Sequence, residues 1–130
     1  MFEAVTRDIS VNVMPVYIDE RSDPDSSRYF WAYRVHISNN SGEAVQIMSR
    51  YWKITDANGH VEEVRGDGVV GEQPLIEPGN DYAYTSGCPL MAPSGIMVGS
   101  YLVESETGER FEIDIPAFPL DLPDLKPSLN

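Results

Sequence analysis

Tyr29-Phe30-Trp31-Ala32-Tyr33-Arg34-Val35-His36-Ile37-Ser38-Asn39 decides the fold class. Tyr29, Trp31, Tyr33, Val35 and Ile37 occupy alternate positions, and Phe30, Ala32, Arg34 and His36 fall between them. Period two is the signature of a strand with one buried face, and aromatic and β-branched residues suit such a pleated surface. Asn39-Asn40-Ser41-Gly42 then reads as a turn. The next apolar segment, Ala44–Asp56, changes phase. Val45 and Ile47 are odd-numbered, whereas Trp52 and Ile54 are even. A one-residue slip would turn half the strand inside out, so the spacing predicts a bulge near Ser49–Tyr51.

Outward from this pair the same grammar continues. Upstream, Ile9, Val11 and Val13 alternate with Ser10 and Asn12, and Pro15 restricts that strand to an edge or an end. Residues 19–27, DERSDPDSS, contain no apolar side chain and are expected to form an exposed loop. Downstream, a turn at Asp56-Ala57-Asn58-Gly59 leads into His60–Arg65. Gly66–Glu72 follows as a glycine-rich stretch, and Pro78-Gly79-Asn80 precedes Asp81–Ser86. Ile96–Val103, apolar on both faces, fits a central strand. Thr107-Gly108 turns the chain into Glu109–Ile115, which Pro116 is expected to end. About seven antiparallel strands with regular turn signals predict an all-β sandwich. No window carries the spacing of an amphipathic helix.

The chain has 130 residues, with 9 Lys and Arg against 21 Asp and Glu, for a formal charge of −12. That length fits one domain, taken as 1–122, with a proline-rich acidic tail at 123–130. The charge argues against nucleic acid and anionic membranes as partners. No apolar run is long enough to span a bilayer as a helix. With one cysteine, Cys88, and an N-terminus lacking a signal-peptide pattern, the expected compartment is the cytoplasm.

Chemistry-bearing residues are sparse. Gly66-Asp67-Gly68-Val69-Val70-Gly71 is a literal GxGxxG. The dinucleotide fingerprint needs a helix after the loop, and Pro74 and Pro78 forbid one. Two readings stay open. The glycines serve a tight loop, or Gly66, Gly68 and Gly71 form an anion-binding nest for a pyrophosphate, with Arg65 or Arg50 countering its charge. Asp67 and Glu72 oppose the second. His36, His60 and Cys88 show no zinc-ligand spacing and no nucleophile motif. Asp19, Glu20, Asp23 and Asp25 could hold a hard cation but lack the EF-hand order. The expectation is therefore no catalytic residue, no resident metal and no cofactor. Phe30 and Arg34, if outward, would form a partner patch.

Residues 49–79, with the string GDGVVGEQP, resemble the centre of the ApaG family, also called CorD. So do Tyr84–Gly87, Pro93–Tyr101 and Ile115–Phe118. Tyr51 departs from the pattern, since a His often precedes the Trp there. The resemblance implies a fibronectin type III-like β-sandwich and an association with Co²⁺ and Mg²⁺ resistance. It also implies an interaction role, as in eukaryotic proteins carrying related domains. Taken with the residues, it points to a non-catalytic module that recognises another protein, or a small ligand, through one sheet face and the glycine loop. A small phosphate-containing ligand at the glycine loop is the alternative, and an exposed edge strand leaves a homodimer open.

Overall fold

A computed structural model describes residues 1–123, and the tail segment 124–130 lies outside the described residues. Among the described residues nine strands run in the order β1 Phe2–Thr6, β2 Ile9–Tyr17, β3 Tyr29–Asn39, β4 Val45–Asp56, β5 Val61–Asp67, β6 Leu75–Ile76, β7 Asp81–Leu90, β8 Gly95–Ser105 and β9 Arg110–Leu120. One sheet has the order β1-β2-β3-β7. The other runs β5-β4-β8-β9, with β6 also paired to β4. All pairings are antiparallel. Apart from β1 and two-residue β6, seven strands remain, three facing four, as the alternation predicts.

The inner faces supply a single core. Trp31, Tyr101 and Phe118 are its largest fully buried members, packed among Ile9, Val11, Val13, Ile37, Ile47 and Ile113. Tyr33, Trp52 and Phe118 meet with ring centroids 5.3 to 6.0 Å apart, and the Trp52–Phe118 pair is edge-on at 89°. Edge-to-face contact aligns the positive rim of one ring with the negative face of the next. In β3 the odd-numbered aromatics and aliphatics point inward, while Arg34 is exposed. Ile96 and Val98 of β8 are partly exposed, so that strand is central within its sheet yet presents one face to solvent.

The phase change in β4 has the expected cause. Its register against β8 shifts between Ile47 and Ser49, leaving Met48 as the extra residue, one position ahead of the expected Ser49–Tyr51. A second irregularity corrects the expected end of the last strand. Met97 pairs with Phe118 and Gly99 with Ile115, so β9 carries an extra residue at Pro116–Ala117 and continues to Leu120. Proline is tolerated there because β9 is an edge strand and bulged residues leave the ladder. Leu122 still packs on the core, and Trp31 Nε1–H donates to the Asp121 carbonyl at 2.8 Å.

Three further boundaries differ from the sequence reading. β1 was not anticipated, because its hairpin turn uses Arg7 and Asp8 at φ 49° and 66° in place of Asn-Gly. β7 continues past Gly87 to Leu90, since Gly87 lies under the Phe30 ring, where a Cβ would come within 2.3 Å of Cζ. β5 extends to Asp67, which makes Gly66 a strand residue paired with Arg50. Pro15 sits within β2, beyond the reach of β1, whose register ends at Phe2 against Val13. That position is a free edge, as its missing N–H requires.

Asn39 anchors the crossing between the sheets. It is fully buried, and its Nδ2 donates to the carbonyls of Glu43 and Ile76 at 2.8 and 2.9 Å. Its Oδ1 accepts from the Ser41 amide and hydroxyl.

Candidate functional site

Sheet order makes the sandwich asymmetric. β9 packs against β1 and β2, closing one side. The other side carries edge strands β5 and β7, which line a common cleft.

At one end of this open side stands the glycine loop. Val69 and Glu72 exchange two backbone hydrogen bonds, of 2.7 and 2.9 Å, around Val70 and Gly71 at φ 42° and 82°. Positive φ at both central residues defines a type I′ hairpin turn. Val69 is fully buried and plugs the loop into the core. Gly68, at φ 59°, is pressed so close to the Glu72 carbonyl that a Cβ would lie 2.0 Å from its oxygen. Its amide donates to the Met48 carbonyl at 2.8 Å. The Tyr82 hydroxyl donates to Glu72 Oε1 at 2.6 Å, so the loop is also tied to β7. That bond, more than burial, pushes the phenol up to about 12.

Gly66 has a different purpose. A Cβ there would meet the Arg50 guanidinium at 2.8 to 2.9 Å. Arg50 lies across this bare backbone, and its Nη1 donates to the carbonyls of Asp67 and Gly68 at 3.1 and 3.0 Å. Arg65 faces the opposite side of β5, with its guanidinium 4.6 Å from the centroid of Tyr51. The structure thus brings Gly66, Gly68 and Gly71 into one hairpin but separates Arg65 from the side on which Arg50 lies. The amides of Gly68, Val69 and Glu72 already bond to backbone carbonyls.

Below the loop, a cleft of about 230 Å³ opens between the sheets, lined among others by Tyr33, Arg50, Trp52, Val64, Ser86 and Cys88. It shares Glu62 and Pro89 of its lining with a larger groove of about 830 Å³. Arg28, Tyr29, Phe30, His60, Leu90 and Met91 line that groove, and Met91 is 74% exposed. Phe30 is outward and half-buried, with Arg21 stacked 4.4 Å above its ring, and Arg34 is exposed.

Burial dominates the titration of Tyr33 in the cleft wall and of Tyr84 and Tyr101 in the core. Desolvation raises Tyr33, Tyr84 and Tyr101, with Arg50 weakly opposing each rise. The Tyr84 and Tyr101 hydroxyls hydrogen-bond to each other in the core. Burial likewise pushes the Cys88 thiol up to about 12, which keeps it protonated and a poor nucleophile at neutral pH. Cys88 faces inward and His36 outward on the same sheet, where His36 Nε2 lies 2.6 Å from Asp81 Oδ2. His60 lines the outer groove.

The acidic segment folds as two short 3₁₀ turns, Asp19–Arg21 and Pro24–Ser26, around Ser22, which bonds to Ile18 and Phe30. Among the described residues no three His, Cys, Asp or Glu side chains converge as metal ligands.

The residue that sequence reasoning undervalued is Arg50, treated there only as a countercharge. Its signal was present. Residues 50, 52 and 54 share a phase, so an arginine stands on the face that Trp52 and Ile54 bury.

Two antiparallel sheets, closed along one side and open along the other beneath a glycine hairpin, define a β-sandwich module with a lateral groove. The ApaG domain family model matches residues 19–105, and the chain belongs to that family. Protein ApaG of Brucella canis is 59% identical over 130 residues, covering 100% of both chains. The Brucella abortus protein of the same name is 58% identical over the same span. Among solved structures, a putative ApaA protein from Bordetella pertussis superposes with a TM-score of 0.88 at 47% identity. That match covers 93% of this chain and 99% of the other.

Proposed function

We propose that this protein is a non-catalytic recognition module that binds another protein along the open side of its sandwich. One observation carries the reading: edge strands β5 and β7 flank two adjoining hollows that share Glu62 and Pro89, the larger lined by Tyr29, Phe30, Leu90 and the exposed Met91. Edge strands offer unpaired backbone groups, and aromatic and Met side chains supply adaptable apolar contact, which together suit an extended partner segment. In this reading the cation resistance implied by the family resemblance acts through the partner. A pyrophosphate at Gly66–Gly71 stands second, because three of the hairpin's amides are already bonded and Asp67 and Glu72 bring negative charge.

The test is affinity capture from the native cell extract with three baits: the wild type, Met91→Glu in the groove, and Val5→Glu on the exposed far edge. A partner retained by wild type and Val5→Glu but lost with Met91→Glu supports the groove. Equal retention by all three baits would refute it. Sedimentation of the purified wild type distinguishes a second copy of this chain from a different partner.

A further inference from the structure

We propose that Arg50, held by the glycine hairpin, makes the inter-sheet cleft a receptor for a carboxylate borne on an apolar group. This inference rests on the recognition reading above and names the chemistry recognised in the deepest part of the groove.

The hairpin positions the guanidinium and leaves part of it free. Gly66 supplies the bare backbone beneath it, and Nη1 is spent on the Asp67 and Gly68 carbonyls. Among the described residues Nε and Nη2 have no protein acceptor, although guanidinium offers five N–H donors in a rigid planar fork. An arginine fixed at one nitrogen loses less freedom on binding than a solvated one, which favours the bound state.

The cleft supplies the rest of a small site. The Tyr33 and Ser86 hydroxyls lie together in this cleft as a polar pair, while Trp52, Val64 and Met97 form apolar walls. A volume of about 230 Å³ suits one side chain or a molecule of comparable size better than a nucleotide.

Charge selects the anion. Glu62 lines the same cleft, Asp67 and Glu72 stand in the hairpin, and the chain carries −12 overall. A dianionic phosphate meets more repulsion there than a monoanionic carboxylate, which one guanidinium can neutralise. The apolar walls favour an aryl or alkyl carboxylate over acetate. Such a group has two sources, a free small acid or the carboxylate of a partner's peptide segment.

The experiment is an amide-shift titration of the isotope-labelled full chain with phenylacetate, its neutral analogue phenylacetamide, and phenyl phosphate. The expected result is saturable shifts at Arg50, Gly66, Ser86 and Cys88 with phenylacetate, and binding at least about tenfold weaker for the other two. Arg50→Gln should lose the preference for phenylacetate over phenylacetamide, and Arg65→Gln should keep it. Should Arg50→Gln unfold, the comparison of the two analogues on wild type still decides. Equal binding of acid and amide overturns the proposal. So do shifts confined to residues 67–72, or no shifts at all. A tetrapeptide ending in phenylalanine, free or amidated at its C-terminus, separates the sources. A preference for the free peptide assigns the site to a partner's chain end, and phenylacetate binding without it assigns the site to a small acid. If phenylacetate fails while capture still depends on Met91, the groove stands and only the carboxylate chemistry falls.

Discussion

Replacing Val70 with asparagine should make the protein more stable, although no contact is added. Val70 sits at φ 42° in the first central position of the Val69–Glu72 hairpin. A left-handed conformation costs an L-residue about 1–2 kcal/mol, and a β-branched side chain is poorly tolerated there. Asparagine is favoured at this position of a type I′ turn, so the substitution relieves most of that strain. The opposing loss is modest. Val70 is 53% exposed, so roughly half of the ~1.5 kcal/mol available from burying a valine is forfeited, about 0.7 kcal/mol. The net expectation is a gain of about 0.5–1 kcal/mol, or a rise of about 2–4 °C in Tm for a chain of this size. Urea unfolding followed by fluorescence measures it directly, because Trp31 and Trp52 are both buried. Val70→Gly should fall between wild type and Val70→Asn, since it relieves strain but frees the unfolded chain. A lower midpoint for both variants would refute the strain argument and show that the Val70 side chain holds the hairpin by packing.

Other expectations follow from the same geometry. Asn39→Ala should lose about 3 kcal/mol in urea unfolding, because it removes four hydrogen bonds from a fully buried amide, two donated to the Glu43 and Ile76 carbonyls and two accepted from Ser41; a loss under 1 kcal/mol would mean water replaces the amide. Gly68→Ala should destabilise by more than about 3 kcal/mol and Gly71→Ala by only about 1 kcal/mol, since both have positive φ but only Gly68 faces a backbone oxygen at 2.0 Å. Similar costs at the two positions would count against the close contact. Tyr33, Tyr84 and Tyr101 are raised by burial, so stability should hold below pH 10, the usual tyrosine value, and fall above it as the unfolded chain ionises first. The decline should approach about 1.4 kcal/mol per pH unit for each such tyrosine, and native absorbance titration of all seven near pH 10 would contradict it.

Alternation made the inner faces legible, because one buried side imposes a period that loops do not show. The phase change between Ile47 and Trp52 likewise announced a bulge, though it falls at Met48, one residue ahead of Ser49–Tyr51. What failed were places where a rule of punctuation met a local exception. Arg7-Asp8 makes a hairpin turn without glycine, Gly87 continues a strand because Phe30 needs the space, and Pro116 sits in a bulge on an edge. The site was less legible than the fold. GxGxxG drew attention to backbone amides, yet in the folded chain Gly66 clears room for a side chain sixteen positions earlier. Pairing of Arg50 with Gly66 is a long-range register, and neither local pattern nor composition encodes it.

The surplus residue at Met48 gives the β4 strand something like a reading frame. Ahead of it Val45 and Ile47 point inward; after it the inward positions are Arg50, Trp52 and Ile54. Removing that one residue would shift everything downstream by half a period, exporting Trp52 and Ile54 while importing Tyr51 and Lys53. The arginine would then stand on the outer face, away from the cleft. Length between Ile47 and Trp52 is therefore constrained independently of which residues fill it, and a conservative substitution at Met48 should be far gentler than its deletion.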